Sequence, residues 1–256
     1  MSLNAKPIIL WDNILTRPDT EFMFTPSGDT NYPFSNALDW REYLIYRKSA
    51  QQPIIIRIDC KNLTPVNAIS FIGHNLYSTN TEFKIWGTNN YEGSWDTVLG
   101  FSLAESDDYP VLKIFNEVSY RYYEISMYPL TFPVYFAFVF LGKYLQFPIW
   151  LSEGFDPNQE EISLESANSQ EGYLIGMVEN YRKRRLNLEF KYLPDSWVRE
   201  HFLPFWKNHI PKPFIFAWDY LNHPKEVYLV RVVEPKLGIP YEPVYRSLRL
   251  ELEGRV

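Results

Sequence analysis

VNAISFIGHNLYSTNTEFKIWGTNNYEGSWDTV, residues Val66 to Val98, is the stretch whose reading decides the fold. An apolar run (Ala68, Ile69, Phe71, Ile72) ends at Gly73, and a polar loop follows through Asn75, Ser78, Thr79 and Asn80. A second run, Thr81 to Gly87, leads into Asn89, Asn90 and Gly93 before Trp95. Short apolar segments cut by Gly, Asn and Ser turns specify antiparallel strands that bury one face in a sandwich.

Outward from this block, strand candidates recur at intervals of about ten residues, as a sandwich requires. They are Ile54–Asp59, Val111–Phe115, Arg121–Met127 and Pro133–Leu141. In Arg121–Met127 the side chains of Tyr123, Ile125 and Met127 share one face, the pattern of a half-buried strand. Val134–Leu141 is apolar at both parities and is expected to be covered on both sides. At the front, an entry strand (Pro7 to Trp11) precedes a polar loop (Arg17 to Tyr32) with turn chemistry at Ser27-Gly28 and Asn31-Tyr32-Pro33.

The order strand–Gly–loop–FKIWGTNN–Trp resembles the discoidin, or coagulation-factor C-type, branch of the galactose-binding-like modules. Asn36-Ala37-Leu38-Asp39 is similar to that family's early turn, Pro53–Asp59 to its first core strand, and Arg121-Tyr122-Tyr123-Glu124-Ile125 to a later one. The match spans roughly residues 5–142. It implies a jelly-roll sandwich that binds and does not catalyse, with ligand loops at one end. Here those loops are Asn13–Trp40 and Asn75–Asn80, and they carry Phe22, Phe24, Tyr32, Phe34, Trp40 and Tyr77. Tyr32, Trp40, Asn75 and Tyr77 are the candidate ligand contacts, since a ring can stack on a sugar's CH face while an amide takes its hydroxyls. The same rings equally suit a protein contact or simple cover for the end of the sandwich. The resemblance also raises a calcium site near Asp39, resting on one carboxylate. Two departures stand out: the terminal cysteine pair of secreted members is absent, and the last strand is unusually aromatic.

Composition agrees with β-rich architecture. Aromatic residues make up 18% of 256, and flat rings pack well on pleated surfaces. The 46% hydrophobic share supplies a substantial core. A net charge of -6 and a pI near 5.3 argue against a nucleic-acid partner, which needs a basic face. The single cysteine, Cys60, is expected as a packed thiol in a protein folded in a reducing compartment. The longest apolar run is too short for the ~20 residues a membrane helix needs, and no export leader opens the chain.

From Pro148 to Gln170 the sequence turns polar, with Gly154, Asp156-Pro157-Asn158, Glu160, Glu161 and Glu165. The organisation expected is therefore residues 1–147 as the sandwich, 148–165 as a linker and 166–256 as a second domain. In that second part Leu186, Leu188, Phe190 and Tyr192 alternate with polar residues. Asp195 or Ser196 is positioned to cap a helix with an apolar face of Val198, Phe202 and Phe205 or Trp206, shortened or kinked by Pro204. Phe214–Trp218 and Glu226–Val233 follow as strands. The last strand points Val244, Leu248, Leu250 and Leu252 inward, with Arg249, Glu251 and Glu253 outward. This α+β barrel-like domain with one helix resembles the tube-type domain of long-tailed phage tail-tip proteins. That resemblance is carried by Arg185–Phe190, the helix with Trp197 and Trp206, Lys212-Pro213-Phe214 and the closing Leu-Arg-Leu-Glu-Leu-Glu-Gly.

Reaction chemistry has little purchase in the chain. It lacks nucleophile-elbow, zinc-helix, Walker and dinucleotide motifs. His74, His201, His209 and His223 fall outside helical metal spacing, and the neighbours Asp107-Asp108 and Glu160-Glu161 point apart on extended chain. No catalytic residue, metal or cofactor is expected. The basic run Arg182, Lys183, Arg184, Arg185 has four readings: a nucleic-acid contact, which four charges in an acidic chain serve poorly, a solvated strand entry, the lining of a ring lumen, or a subunit interface pairing with Glu251 and Glu253. The expected function is a structural tail-tip (baseplate) protein of a long-tailed phage or phage-like particle. Its partners would be copies of itself in a ring, neighbouring tail proteins and, in addition, a host-surface glycan, and its location the virion tail after synthesis in the host cytoplasm. The alternative is a carbohydrate-binding module for adhesion to host glycans.

Overall fold

The computed structural model describes residues 6–103, 107–237 and 244–255, and the protein is mainly β. In chain order the strands are β1 (Ile8–Asn13), β2 (Glu21–Phe24), β3 (Tyr46–Lys48), β4 (Ile54–His74), β5 (Glu82–Thr88), β6 (Asp96–Ser102), β7 (Val111–Tyr128) and β8 (Val134–Gln146). Then come β9 (Glu160–Asn168), β10 (Leu174–Pro194), the helical segment, β11 (Phe214–Ala217), β12 (Val227–Val232) and β13 (Tyr245–Arg255). Two compact units share them. One comprises residues 10–145 with 220–227, and the other 1–9, 146–219 and 228–256.

The first unit is a sandwich in which two long strands serve both layers. The first half of β4 pairs with β2 and with the C-terminal half of β7, in register Ile56↔Ile125 and Ile58↔Tyr123. Its second half pairs with β8 and with the start of β7, in register Ile69↔Leu141 and Phe71↔Val111. Ile54–Asp59 and Ala68–Gly73, expected as separate strands, are thus one element bent between Asp59 and Thr64. Lys61 makes the bend at φ +62°, with its N–H donating 2.7 Å to the Asp59 carboxylate. Val111–Phe115 and Arg121–Met127 merge likewise into β7. The alternation sees the break in the ladder but not that the chain keeps its direction through it.

Between the layers lie Ile54, Ile56, Ile58, Phe71, Phe83, Ile85, Tyr123, Ile125 and Phe136, all at most 1% exposed. Phe71 sits edge-on to both Phe83 and Phe136, with centroids 5.2 and 5.6 Å away. β8 is buried on both faces from Phe136 to Leu141, as its unbroken apolar run predicts. Two asparagines clamp that strand. Asn13 donates to Val139 O and accepts from Leu141 N. Asn75 donates to Pro133 O and accepts from Tyr135 N. Cys60 is buried, and burial pushes its thiol up to about 11.

In the second unit the strands run β11-β12-β13-β10-β9. Leu186, Leu188 and Phe190 of β10 face Leu252, Leu250 and Leu248 of β13, and all six are buried. Tyr192, expected inward beside them, is 63% exposed. A register shift between Phe190 and Leu193, with Tyr192 at φ +65°, reverses parity and turns Leu193 inward instead. Val244, also expected inside, precedes its strand and is exposed.

The helical segment begins α1 (Asp195–Trp197), continues as a π turn (Val198–Phe202) and ends as α2 (Leu203–His209). The wide turn lies directly before Pro204, whose missing N–H and ring disturb the regular ladder. Neither expected cap acts as one, since Pro194 holds the cap position. The Asp195 carboxylate instead accepts from Arg199 (2.7 Å) and Arg246 (2.5 Å). Phe202 and Phe205 point inward as expected, into a ring cluster with Phe147, which stacks on Phe190 at 4.0 Å.

The expected linker 148–165 is not one. Glu160–Asn168 is strand β9, and it forms with β10 a long hairpin closed at Ser169–Tyr173, where Gly172 adopts φ +86°. Its polarity at both parities reflects a strand with solvent on both faces.

Candidate functional site

The sandwich loops Asp29–Tyr32, Asn75–Thr81 and Leu130–Pro133 meet around the N-terminal end of β8, held by Asp29 N to Arg47 O, Leu130 N to Thr79 O and Asn75 N to Tyr135 O. Of the four candidate contacts, Tyr77 alone is exposed, at 48%. Its loop is organised by Asp108, whose carboxylate accepts from Tyr77 N (3.0 Å), Ser78 N (3.1 Å) and the Ser78 hydroxyl. Asp108 is therefore a loop organiser. Asn75 is 9% exposed, with both ends of its amide engaged by the β8 entry. Tyr32 lies under the Arg47 guanidinium, 4.1 Å from its ring centroid. Trp40 packs on Phe138 at 4.3 Å and covers the outer face of β8. The structure does not bring these four into one exposed cluster.

Asp39, considered for calcium, accepts two hydrogen bonds from the Arg41 guanidinium (2.8 and 2.6 Å), which hold its carboxyl below the usual range. Beside these loops Phe22, Pro26, Asp29, Pro33, Phe34 and Leu38 line an open cleft of about 420 Å³. Asp29 is committed there to Arg47 and Ser49.

His74 lies at the end of β4 in the same region and is 2% exposed. Its Nδ1 accepts from Leu76 N, so the ring is neutral, and burial lowers its pKa to about 4. Above pH ~6.5 this neutral ring costs nothing; as pH falls from there towards about 4 the unfolded chain gains a proton that the folded one refuses. Stability should drop by about 2 kcal/mol between pH 7 and pH 5. Urea midpoints across that range measure it, and a His74→Gln variant should lose this part of the slope. An unchanged slope would contradict the burial of the imidazole.

In the second unit the basic run pairs within its own chain. Arg185 reaches Glu161 at 2.5 Å, Glu251 at 3.4 Å and Glu253 at 3.5 Å, and Lys183 reaches Glu253 at 3.3 Å. Arg182 pairs with Glu179, while Arg184 donates to Pro157 O and lies over the Tyr228 ring. The cross-strand register sets Arg185 opposite Glu253, so Glu251 and Glu253 are intrachain partners and not reserved for a neighbour. Glu253, expected on the outward face, is 7% exposed among Lys183, Arg185 and Arg231. These charges fasten the root of the hairpin.

Beyond that root the hairpin becomes an arm. Ile162, Leu164, Met177 and Val178 are 42% to 63% exposed. Tyr173, Leu174, Ile175 and Tyr181 add another four large apolar side chains at 47% to 70%. Neither face of the arm is covered, and β9 has no further strand neighbour among the described residues. The sequence carried a signal here in the run Leu174-Ile175-Gly176-Met177-Val178. It is masked by the Glu, Ser and Asn content of the preceding strand.

No family model matches this chain, and no curated protein matches it either. Among solved structures, CpGH89CBM32-6 from Clostridium perfringens is similar at 12% identity and a TM-score of 0.41, over 51% of this chain and 98% of that one. A second, CpGH89CBM32-5 from Clostridium perfringens, solved in complex with GalNAc-β-1,3-galactose, gives 9% identity and a TM-score of 0.40, over 48% and 95%. A Ruminococcus gnavus GH29 fucosidase in complex with fucose gives 15% identity and a TM-score of 0.43, and the match spans 52% of this chain but only 27% of the fucosidase. Likeness at this level places the chain in no family. The sandwich rests on the strand pairing described above.

Proposed function

We propose that the chain is a structural subunit that associates with copies of itself, and that its setting is the tail tip of a long-tailed phage or phage-like particle. The arm is the observation that supports the self-association, and the tail-tip setting rests on the resemblance of residues 160–256 to tube-type tail domains. Exposed apolar side chains gathered on one hairpin mark an interaction surface, and an uncovered strand edge invites pairing with another chain. In this reading the second unit builds a ring around the tail channel, while the sandwich anchors neighbouring tail proteins. The chain performs no reaction. Light scattering on the purified chain should return a mass of several subunits, and electron micrographs should show closed rings. A strict monomer at every concentration, including with other tail proteins added, would end this reading.

A second reading is supported by the loop end of the sandwich, where Tyr77 stands exposed beside Asp108-anchored backbone. There the unit would bind a carbohydrate by stacking Tyr77 on a sugar face. Tyr77→Ala should leave stability within about 0.5 kcal/mol, as expected for an exposed side chain. It should weaken any glycan found on an array at least roughly tenfold, the loss expected from one stacked ring. An array with no binder would retire this reading and leave the first untouched.

A further inference from the structure

The arm has one geometric property that names its partner. β9 is 9 residues long, contains neither proline nor bulge-forming glycine, and presents a ladder edge that no other strand pairs among the described residues. Edges of this kind are ordinarily blunted by lysine, proline or a covering element; β9 has none of these. On its outer side no described strand takes the backbone N–H and C=O groups, which leaves them to bond a sixth strand added to these five, and the question is which strand fits.

The sequence of β9, Glu-Glu-Ile-Ser-Leu-Glu-Ser-Ala-Asn, fits itself. Antiparallel pairing of two copies about a two-fold axis through Leu164 sets Glu160 opposite Asn168, Glu161 opposite Ala167, Ile162 opposite Ser166 and Ser163 opposite Glu165. The two Leu164 side chains meet on the axis. No carboxylate faces another. Sliding the axis by one residue destroys this: centred on Ser163, Glu161 opposes Glu165, and centred on Glu165, two identical carboxylates collide. Like charges directly opposite are destabilising, so among the extensive registers the one through Leu164 is selected.

The pattern of faces supports the same partner. Leu164 lies opposite Glu179, Ile162 opposite Arg182 and Ser166 opposite Met177 within the hairpin. Ile162, Leu164 and Met177 therefore share one side, and the same side continues along β10 into the buried Leu186, Leu188 and Phe190. Beyond the buried core this side carries Arg184, Arg182 and Glu179 along β10, while Ile162 and Leu164 of β9 and Met177 of β10 stand exposed on it. Setting two arms edge to edge doubles that strip into a four-stranded band. Ile162 and Leu164, 42% and 52% exposed, are the large apolar side chains on the paired strand itself, and the pairing sets each beside the partner's strand.

We infer that β9 pairs with β9 of a second copy of this chain, antiparallel and centred on Leu164, joining two arms into one sheet across a two-fold axis. This rests on the self-association proposed above and makes it specific. A two-fold contact closes on itself, so it yields pairs, and a ring is then assembled from pairs through a separate surface.

The test uses the full chain. Leu164 is 52% exposed, so Leu164→Lys leaves the fold intact while placing two lysines on the axis. The dimer should weaken roughly a hundredfold or more by light scattering over a concentration series. Leu164→Glu should weaken it similarly, and an equimolar mixture of the two variants should recover it. Leu164→Cys should cross-link between chains under a mild thiol oxidant, because directly opposed Cβ atoms in an antiparallel pair lie about 4.5–5.5 Å apart. The native Cys60 is 3% exposed and will not compete. Ile175→Cys, at a residue 70% exposed on β10 and away from the paired edge, should not cross-link. If the unaltered chain associates while the charge variants associate equally well, or if both cysteine variants cross-link alike, the edge pairing is wrong and self-association through another surface stands. A monomeric unaltered chain overturns both.

Discussion

Phe71→Ala should destabilise the sandwich by about 4 kcal/mol, the upper part of the range for a fully buried phenylalanine. Phe71 is 0% exposed and sits where the second half of β4 crosses the core, edge-on to Phe83 and Phe136. Deleting the ring removes its transfer free energy. It also breaks two edge-to-face contacts worth about 0.5–1.5 kcal/mol each, and leaves a cavity that neither rigid neighbouring strand can fill. β4 hydrogen-bonds on both sides at this point, to β7 and to β8, so the backbone has little room to relax. Urea unfolding followed by tryptophan fluorescence measures the loss. Phe24→Ala, at a residue 51% exposed on the short β2, is the control and should change stability by less than about 0.5 kcal/mol. A Phe71→Ala loss no larger than that of the control would mean that the two layers do not close over this ring.

Asp59→Ala should cost about 3 kcal/mol, and most of that should vanish in acid. Asp59 sits at the bend of β4 with a side chain 5% exposed. Its carboxylate accepts from Nε and Nη2 of Arg121, both at 2.8 Å, and from Lys61 N at 2.7 Å. The first of these partners, Arg121, does most to hold the carboxyl far below the usual range, and the Lys61 backbone bond adds to it. A folded-state pKa below the unfolded value means stability that is complete above about pH 4 and is lost as pH falls further. The gap between the original chain and Asp59→Ala should therefore be constant near neutrality and narrow below pH ~4. Lys61 holds φ +62°, a conformation that a non-glycine residue keeps only when its surroundings insist. Losing the Asp59 bond to its N–H should thus release the bend itself. Asp59→Asn should fall between the two, since an amide accepts on one oxygen only. An acid-insensitive gap would assign the cost to packing and not to the carboxylate.

Much of the architecture was legible along the chain because strand side chains alternate with a period of two. Tyr123, Ile125 and Met127 fall on one face by position alone, and all are buried. The unbroken run from Phe136 to Leu141 is the pattern of a strand covered on both sides, which it is. Leu186, Leu188 and Phe190 follow the same rule. Where the period was interrupted, the sequence misled. The bulge before Leu193 exposes Tyr192, and the bend at Lys61 looks like a loop between two strands. Both are backbone events, a single residue with positive φ, and no side-chain pattern announces them.

The candidate contacts divide differently. Residue type marks Tyr32, Trp40, Asn75 and Tyr77 as able to hold a ligand, but type says nothing about what already occupies them. Arg47 lies over Tyr32, Phe138 under Trp40, and the β8 entry takes both ends of the Asn75 amide. Likewise the run Arg182 to Arg185 looks unmatched in sequence, since Glu161, Glu251 and Glu253 reach Lys183 and Arg185 only through strand register.

Local alternation, turn residues and composition thus determined that this chain is a β protein with a sandwich-like first part and a helix-bearing second part. Those properties depend on near neighbours in the chain. Which polar groups are spent on the protein itself, and which apolar surface is left bare, depend on partners scores of residues away. Only the folded chain brings Asp108 to Tyr77 and Glu253 to Arg185, and leaves the arm around Leu164 uncovered among the described residues.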